Sequence, residues 1–185
     1  MNVQTALGGR SSGASTGDER SMSIRSLGIA ILCLLAFPIA ANAADPAPDS
    51  EERAFCKQIN TYRAQNGVPA LKLSVSLTNA SEWLSTDMAR KDYFDHTDSL
   101  NRSFSKRISA FGYSGATRGE NIAGGTNGSA AAMFNMWKGS AEHKRNMLNA
   151  SYKVIGVGRA YRAGTMLGWY WTTDFGGTVD RTIPC

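Results

Sequence analysis

The apolar pattern of the chain changes period near residue 153, and that change bounds the fold. Upstream, apolar residues recur at helical spacing. Glu52–Asn66 carries Phe55, Ile59 and Tyr62 at i, i+4 and i+7, and Asn66-Gly67 supplies a left-handed stop. Leu77–Lys91 puts Leu77, Ala80, Leu84 and Met88 on one face, with Trp83 beside it. Ser103–Phe111 is a shorter third helix ended by Gly112. Ser129 caps a fourth, Ala130–Lys138, expected to bury Met133, Met136 and Trp137, and Ser140 caps one further turn carrying His143 and Met147. Between the third and fourth helices, Gly112–Gly128 holds six glycines and reads as loop. Downstream, Lys153–Tyr161 alternates, with Ile155 and Val157 on one face. Met166–Phe175 is its partner strand across the turn Arg162-Ala163-Gly164. Helices followed by a hairpin predict an α+β fold, with helices packed on a small antiparallel sheet.

The N-terminus reads as a targeting segment. Arg25 supplies the positive start, Leu27–Phe37 is an apolar run that Pro38 breaks, and Ala41-Asn42-Ala43 is a small-x-small cleavage site. Met22–Ala43 is therefore expected to be a signal peptide. Residues 1–21, rich in Gly and Ser, are a structureless extension or an over-long start, with Met22 the initiator. Cys33 lies inside the apolar run after Leu32, which does not suit lipid attachment. Residues 44–51 form a Pro/Asp linker, and 52–185 form the domain. Export places the protein in the periplasm or outside the cell.

Of 185 residues, 42% are apolar and 19% charged, enough for one packed core. The longest apolar run falls short of the roughly 18 residues that span a bilayer, so no transmembrane segment is expected in the mature chain. No repeat, phosphate-cradling loop, zinc ribbon or nucleophile elbow occurs. Residues 44–185 carry a net charge of +4 with scattered bases, which argues against nucleic-acid binding. Two cysteines remain after cleavage, Cys56 and Cys185. An even pair in an oxidising compartment usually closes. A bridge would tie the two ends of the domain together and contribute about 4–5 kcal/mol on the chain-entropy view. Two free thiols are the alternative.

The chain has two histidines, His96 and His143. With Glu120 between them they offer groups that bind zinc and serve as general bases. Their spacing matches no local metal motif, which leaves two unrelated surface histidines as the plainer outcome. Ser140 and His143 are three residues apart, and a helix cap explains them better than a nucleophile–base pair. Asp174 ends a strand, either as a turn former or as a partner of the site. Trp169, Tyr170 and Trp171 are consecutive and so alternate faces. Four Asn-x-Ser tripeptides start at Asn79, Asn101, Asn127 and Asn149 and matter only in a glycosylating host.

Five segments in order resemble the CAP superfamily (SCP, cysteine-rich secretory/antigen 5/pathogenesis-related) in its compact bacterial form. They are Ile59-Asn60-x-x-Arg63 with Gly67–Leu71; Ala80–Met88 leading to Tyr93-Phe94-Asp95-His96; Gly119-Glu120-Asn121-Ile122-Ala123; Trp137-x-x-Ser140-x-x-His143-x-x-Asn146; and Ile155–Gly158 with Tyr170–Gly176. The resemblance implies an α-β-α sandwich and a cleft holding His96, Glu120, His143 and Ser140. Ser140 stands where animal and plant members carry a second glutamate.

Two functions follow from the resemblance. In the first, a secreted, monomeric binding module uses the cleft for a divalent ion, a lipid or sterol, or a cell-envelope ligand. In the second, His96, His143 and Glu120 hold Zn²⁺ or another divalent cation for a hydrolase or protease, with Glu120 as the candidate catalytic group.

Overall fold

A computed structural model describes residues 46–185. The extension 1–21, the signal segment 22–43 and Cys33 lie outside the described residues. Helix α1 (Ser50–Gln65) starts two residues before the apolar spacing predicts, within the stretch expected as linker. Asp49 causes this. Its Oδ1 accepts the backbone N–H groups of Glu51 and Glu52, both at 2.9 Å, while the Asp49 N–H donates to Glu52 Oε2 at 2.7 Å. That reciprocal cap satisfies orphan donors at the helix start. Strand β1 (Lys72–Ser74) runs straight into α2 (Val75–Lys91), whose N-cap is Ser74. There follow α3 (Phe104–Ala110), β2 (Arg118–Gly125), α4 (Ala130–Gly139), α5 (Ala141–Met147), β3 (Val154–Tyr161), β4 (Trp169–Gly176) and β5 (Thr182–Ile183).

The strands form one sheet in the order β2-β4-β3-β1-β5. β2, β4 and β3 pair antiparallel, whereas β1 runs parallel to β3 and antiparallel to β5. The sheet is thus mixed and larger than the hairpin the alternation predicts. Helices cover both faces, giving the expected α-β-α sandwich. On one face α2 buries Leu77, Ala80, Leu84 and Met88 against Val154, Ile122 and Tyr170. On the other, Phe55 and Ile59 of α1 and Met133 and Trp137 of α4 pack on Ile155, Val157, Trp171 and Phe175. Tyr170 and Trp171 point to opposite faces, as a period of two requires.

Three sequence expectations change. Gly112–Gly128 is not all loop, because β2 occupies its centre. The glycines that hide the strand pattern are there for close approach: a Cβ on Gly119 would lie 2.2 Å from the Tyr152 hydroxyl. The hairpin loop is longer than Arg162–Gly164, and β4 starts at Trp169 rather than Met166. Gly164 and Gly168 both take positive φ, and Arg162 N–H closes on Gly168 O at 2.8 Å. Met136 is exposed, and Phe134 takes the buried place beside Met133 and Trp137. The buried stripe of α4 continues on the side of residue 134, one helical step from Met133.

Gly156 and Gly158 set the spacing of the layers. A Cβ on either would meet α2 backbone, 2.1 Å from Leu77 C and 2.2 Å from Glu82 N. Cys56 and Cys185 form a disulfide with Cα atoms 5.5 Å apart, so the chain end after β5 is tied to α1. Among the described residues no helix is long and apolar enough to cross a membrane.

Candidate functional site

The motif residues first explain how the site is held together. Asn60 Nδ2 donates to Leu71 O at 2.9 Å, and Asn60 Oδ1 accepts Leu71 N–H at 2.8 Å. Arg63 is fully buried, and its guanidinium reaches the carbonyls of Pro69, Met147, Asn149 and Tyr152 at 2.7–3.3 Å. It therefore ties α1 to the segment after α5. Asn146 Nδ2 donates to Asn121 Oδ1 at 2.8 Å and to Glu120 O at 3.2 Å, and Asn121 Nδ2 donates to His143 O at 3.2 Å. These bonds clamp α5 onto β2 and place His143 beside Glu120's strand.

His96 lies on the loop after α2, whose C-cap Asp92 adopts the left-handed conformation with φ 53°. Two buried carboxylates fix this loop. Asp87 accepts from Tyr93 Oη at 2.6 Å, from Ser99 N–H at 3.0 Å and from Ser99 Oγ at 2.8 Å. Asp98 accepts the N–H groups of Leu100 and Arg102 and an Arg102 Nε bond at 2.8 Å. The imidazole so held is half exposed, and its Nδ1 is 2.6 Å from Oε1 of Glu120, whose side chain is 1% exposed. Arg107 of α3 is fully buried; its Nη2 bonds Glu120 Oε2 and its Nη1 bonds His96 O at 3.1 Å.

Opposite Glu120 in the β2–β4 register stands Asp174. It is fully buried, and its Oδ2 accepts from Ser81 Oγ at 2.9 Å. Its Oδ1 has no donor among the described residues. Burial, and then the neighbouring Glu120 charge, hold the Asp174 carboxyl well above the usual range. Both effects favour the neutral acid form of Asp174, while Glu120 faces Arg107 and His96. The Glu120 hydrogen bond raises the pKa of His96 against the opposing effect of burial. Burial lowers that of His143, and the His96 charge lowers it further. His143 Nδ1 is buried without a partner among the described residues, and its ring lies 6.3 Å from that of Trp137.

The structure thus joins His96 directly to Glu120 and brings His143 into electrostatic reach of His96. Ser140 takes no part in these bonds: it starts α5 through its carbonyl, which accepts Lys144 N–H at 2.9 Å, and its side chain makes no capping bond. Sequence reasoning missed Arg107 and Asp98 and left Asp174 undecided. For Arg107 one signal existed: it falls on the apolar side of a short helix, three residues after Phe104 and beside Ile108.

The zinc set fits this geometry poorly. Both oxygens of Glu120 are engaged, one by a guanidinium and one by His96. Among the described residues no group of three His, Cys, Asp or Glu is disposed to hold a metal ion. The fixed Arg107 cation occupies the electrostatic place beside Glu120 that a bound cation would take. The same geometry limits Glu120 as a general base for water. Glu120 instead engages His96 through Nδ1 and raises the pKa of the imidazole.

A helix–sheet–helix sandwich around a five-stranded mixed sheet, with a histidine bonded to a glutamate of β2, fits the CAP, or SCP, type of domain. The chain belongs to the cysteine-rich secretory protein family, CAP, which its residues 57–175 match. YkwD of Bacillus subtilis, an uncharacterized protein, is 32% identical over 137 residues, 72% of this chain and 51% of YkwD. The chain therefore spans about half the length of that relative. Two solved structures share the fold. An extracellular SCP-domain protein from Bacillus anthracis is 23% identical with a TM-score of 0.59, over 74% of this chain and 45% of its own. An outer surface protein of Borrelia burgdorferi is 18% identical with a TM-score of 0.61, over 72% of this chain and 98% of its own.

Proposed function

We propose that this CAP-domain protein is an exported binding module whose cleft takes a lipid of the cell envelope through an acceptor group on its headgroup. The carrying observation is the double engagement of Glu120 by Arg107 and His96. A carboxylate held this way orients an imidazole and favours its charged form, which suits recognition of an acceptor or anion. His143, held neutral by burial and by the His96 charge, offers a second polar contact. Export is supported by the signal-like segment Met22–Ala43, by the Cys56–Cys185 disulfide, and by relatives described as extracellular or outer-surface proteins.

Sedimentation with vesicles made from bacterial envelope lipids tests the cleft. Saturable binding by the purified protein, weakened in a folded His96→Ala variant and weaker above the His96 pKa, is the expected result. Absence of saturable binding over the lipid panel, or binding indifferent to His96, would refute it. Export is tested separately by the mass of the protein recovered outside the cytoplasm, which should begin at Ala44.

A further inference from the structure

The outer face of α2 carries an open groove of about 700 Å³, within the range of ligand sites. Asn79, Glu82, Trp83, Thr86, Asp87, Arg90 and Lys91 line it along one helical stripe, and Phe111 closes one side. None of the cleft residues His96, Glu120 or His143 lines it. From residue 79 to residue 91 the stripe is about 18 Å long.

Two features of this groove stand out. First, Trp83 and Phe111 present two tilted rings with centroids 6.3 Å apart. The Arg102 guanidinium lies 4.6 Å from the Trp83 ring centroid, and Arg102 is itself fixed by Asp98, so the indole is held in place. Second, the side chains of Asn79, Glu82, Thr86 and Arg90 make no hydrogen bond or ion pair among the described residues. An amide, a carboxylate, a hydroxyl and a guanidinium thus stand unbonded along one wall. Burial, and then the Asp49 charge, raise the pKa of Glu82.

Charge selects among occupants. Glu82 and Asp87 face Arg90 and Lys91, so the groove has no net sign to attract a polyanion or a polycation. Aromatic rings flanked by free donors and acceptors match a neutral polyhydroxylated chain. Pyranose rings with equatorial substituents give a C–H face to an aromatic ring and hydroxyls to the polar groups at its edge. A β-1,4-linked chain of such rings is extended and suits a straight groove.

We propose that the α2 groove is a carbohydrate-binding site for a short β-1,4-linked glycan, distinct from the His96–Glu120 cleft. Trp83 and Phe111 form its platform, and Asn79, Glu82, Thr86 and Arg90 read the hydroxyls.

Calorimetric titration of the purified full protein with an N-acetylglucosamine tetramer and with cellotetraose tests this. One-to-one binding of at least one of them is expected. Thr86→Ala and Glu82→Gln should each weaken it severalfold, and Trp83→Ala by about ten-fold. Circular dichroism checks that each variant folds, and the two polar variants keep the test open should Trp83→Ala unfold. Vesicle sedimentation should be unchanged in Thr86→Ala and Glu82→Gln, which separates this site from the cleft. No saturable heat with either sugar overturns the proposal. So does sugar binding that persists unaltered in the folded Thr86→Ala and Glu82→Gln variants.

Discussion

Glu120 and Arg107 form a buried ion pair in which the guanidinium Nη2 bonds carboxylate Oε2, while Oε1 of the same carboxylate holds His96 Nδ1 at 2.6 Å. One side chain therefore links the buried interior to a half-exposed imidazole. Asp174 lies behind it as a neutral acid and Arg107 beside it as the compensating cation. The consequences are measurable because each partner shifts the others in a defined direction.

The two histidines should titrate on opposite sides of the ordinary value of 6.5. His96 is shifted up by the Glu120 hydrogen bond, and His143 is shifted down by burial and then by the His96 charge. With two histidines in the sequence, nuclear magnetic resonance can follow both rings. Glu120→Gln should lower the His96 midpoint, and His96→Ala should raise that of His143. Identical midpoints in the wild type would refute the network.

Removing Arg107 should destabilise the fold far more than removing His96. Arg107→Met removes the buried guanidinium partner of Glu120 and leaves only the half-exposed His96 beside it, which costs about 3–5 kcal/mol for a broken buried pair. His96 is half exposed, and its link to Glu120 contributes at most about 1 kcal/mol. That contribution has a sign. A raised folded pKa gives stability that is fully present below the unfolded pKa and lost as pH rises through the folded one. Urea unfolding at acidic and alkaline pH checks both statements.

The helices and the β3–β4 pair were legible because their apolar residues repeat at the right period over enough length. β1 and β5, with three and two residues, are too short to show a period. β2 was hidden for a different reason. Its glycines look like loop, yet Gly119 and Gly124 are small because Tyr152 and Leu167 press against them. At the site, His96, Glu120 and His143 could be named from motif order. Arg107 carried only a faint mark, its place on the apolar side of α3, and nothing local showed that its partner sits on a strand thirteen residues on. Asp174 becomes interpretable only through its register with Glu120.

Loss of the Cys56–Cys185 bridge should lower stability without dissolving the site. The bridge spans 129 positions and anchors the segment after β5. Removing a native disulfide from a small exported domain costs about 2–5 kcal/mol. The double variant Cys56→Ser/Cys185→Ser should show that loss in urea while the His96 and His143 midpoints stay put. A shift of either midpoint would mean that the bridge also shapes the cleft.

Alanine at Gly156 or Gly158 should be costly, whereas alanine at Gly139 should not. The first two positions have α2 backbone within 2.1 and 2.2 Å of a Cβ, and backbone cannot rotate away as a side chain can. Overpacking of this kind costs about 1–3 kcal/mol or more. Gly139 has nothing within 4 Å. Equal stability of the Gly156 and Gly139 variants in thermal melts would contradict the tight contact of α2 with β3.

Glu52 should make the fold more stable at mildly acidic pH than at alkaline pH. It is 4% exposed, and its two oxygens accept the N–H groups of Arg159 at 2.8 Å and Asp49 at 2.7 Å. Burial outweighs those bonds and raises its pKa from 4.5 to about 7. Because the folded value lies above the unfolded one, the contribution is fully present below pH 4.5 and is lost as pH rises through about 7. Over that window the loss amounts to about 3 kcal/mol at most. Glu52→Gln stays uncharged but turns an N–H group toward one of the two donors, so it should be less stable than the wild type in acid. The gap between them should narrow as pH rises. The His96 contribution is common to both proteins and cancels in that difference. Urea midpoints measured in parallel across the window decide it, and a constant gap would mean that Glu52 does not titrate there.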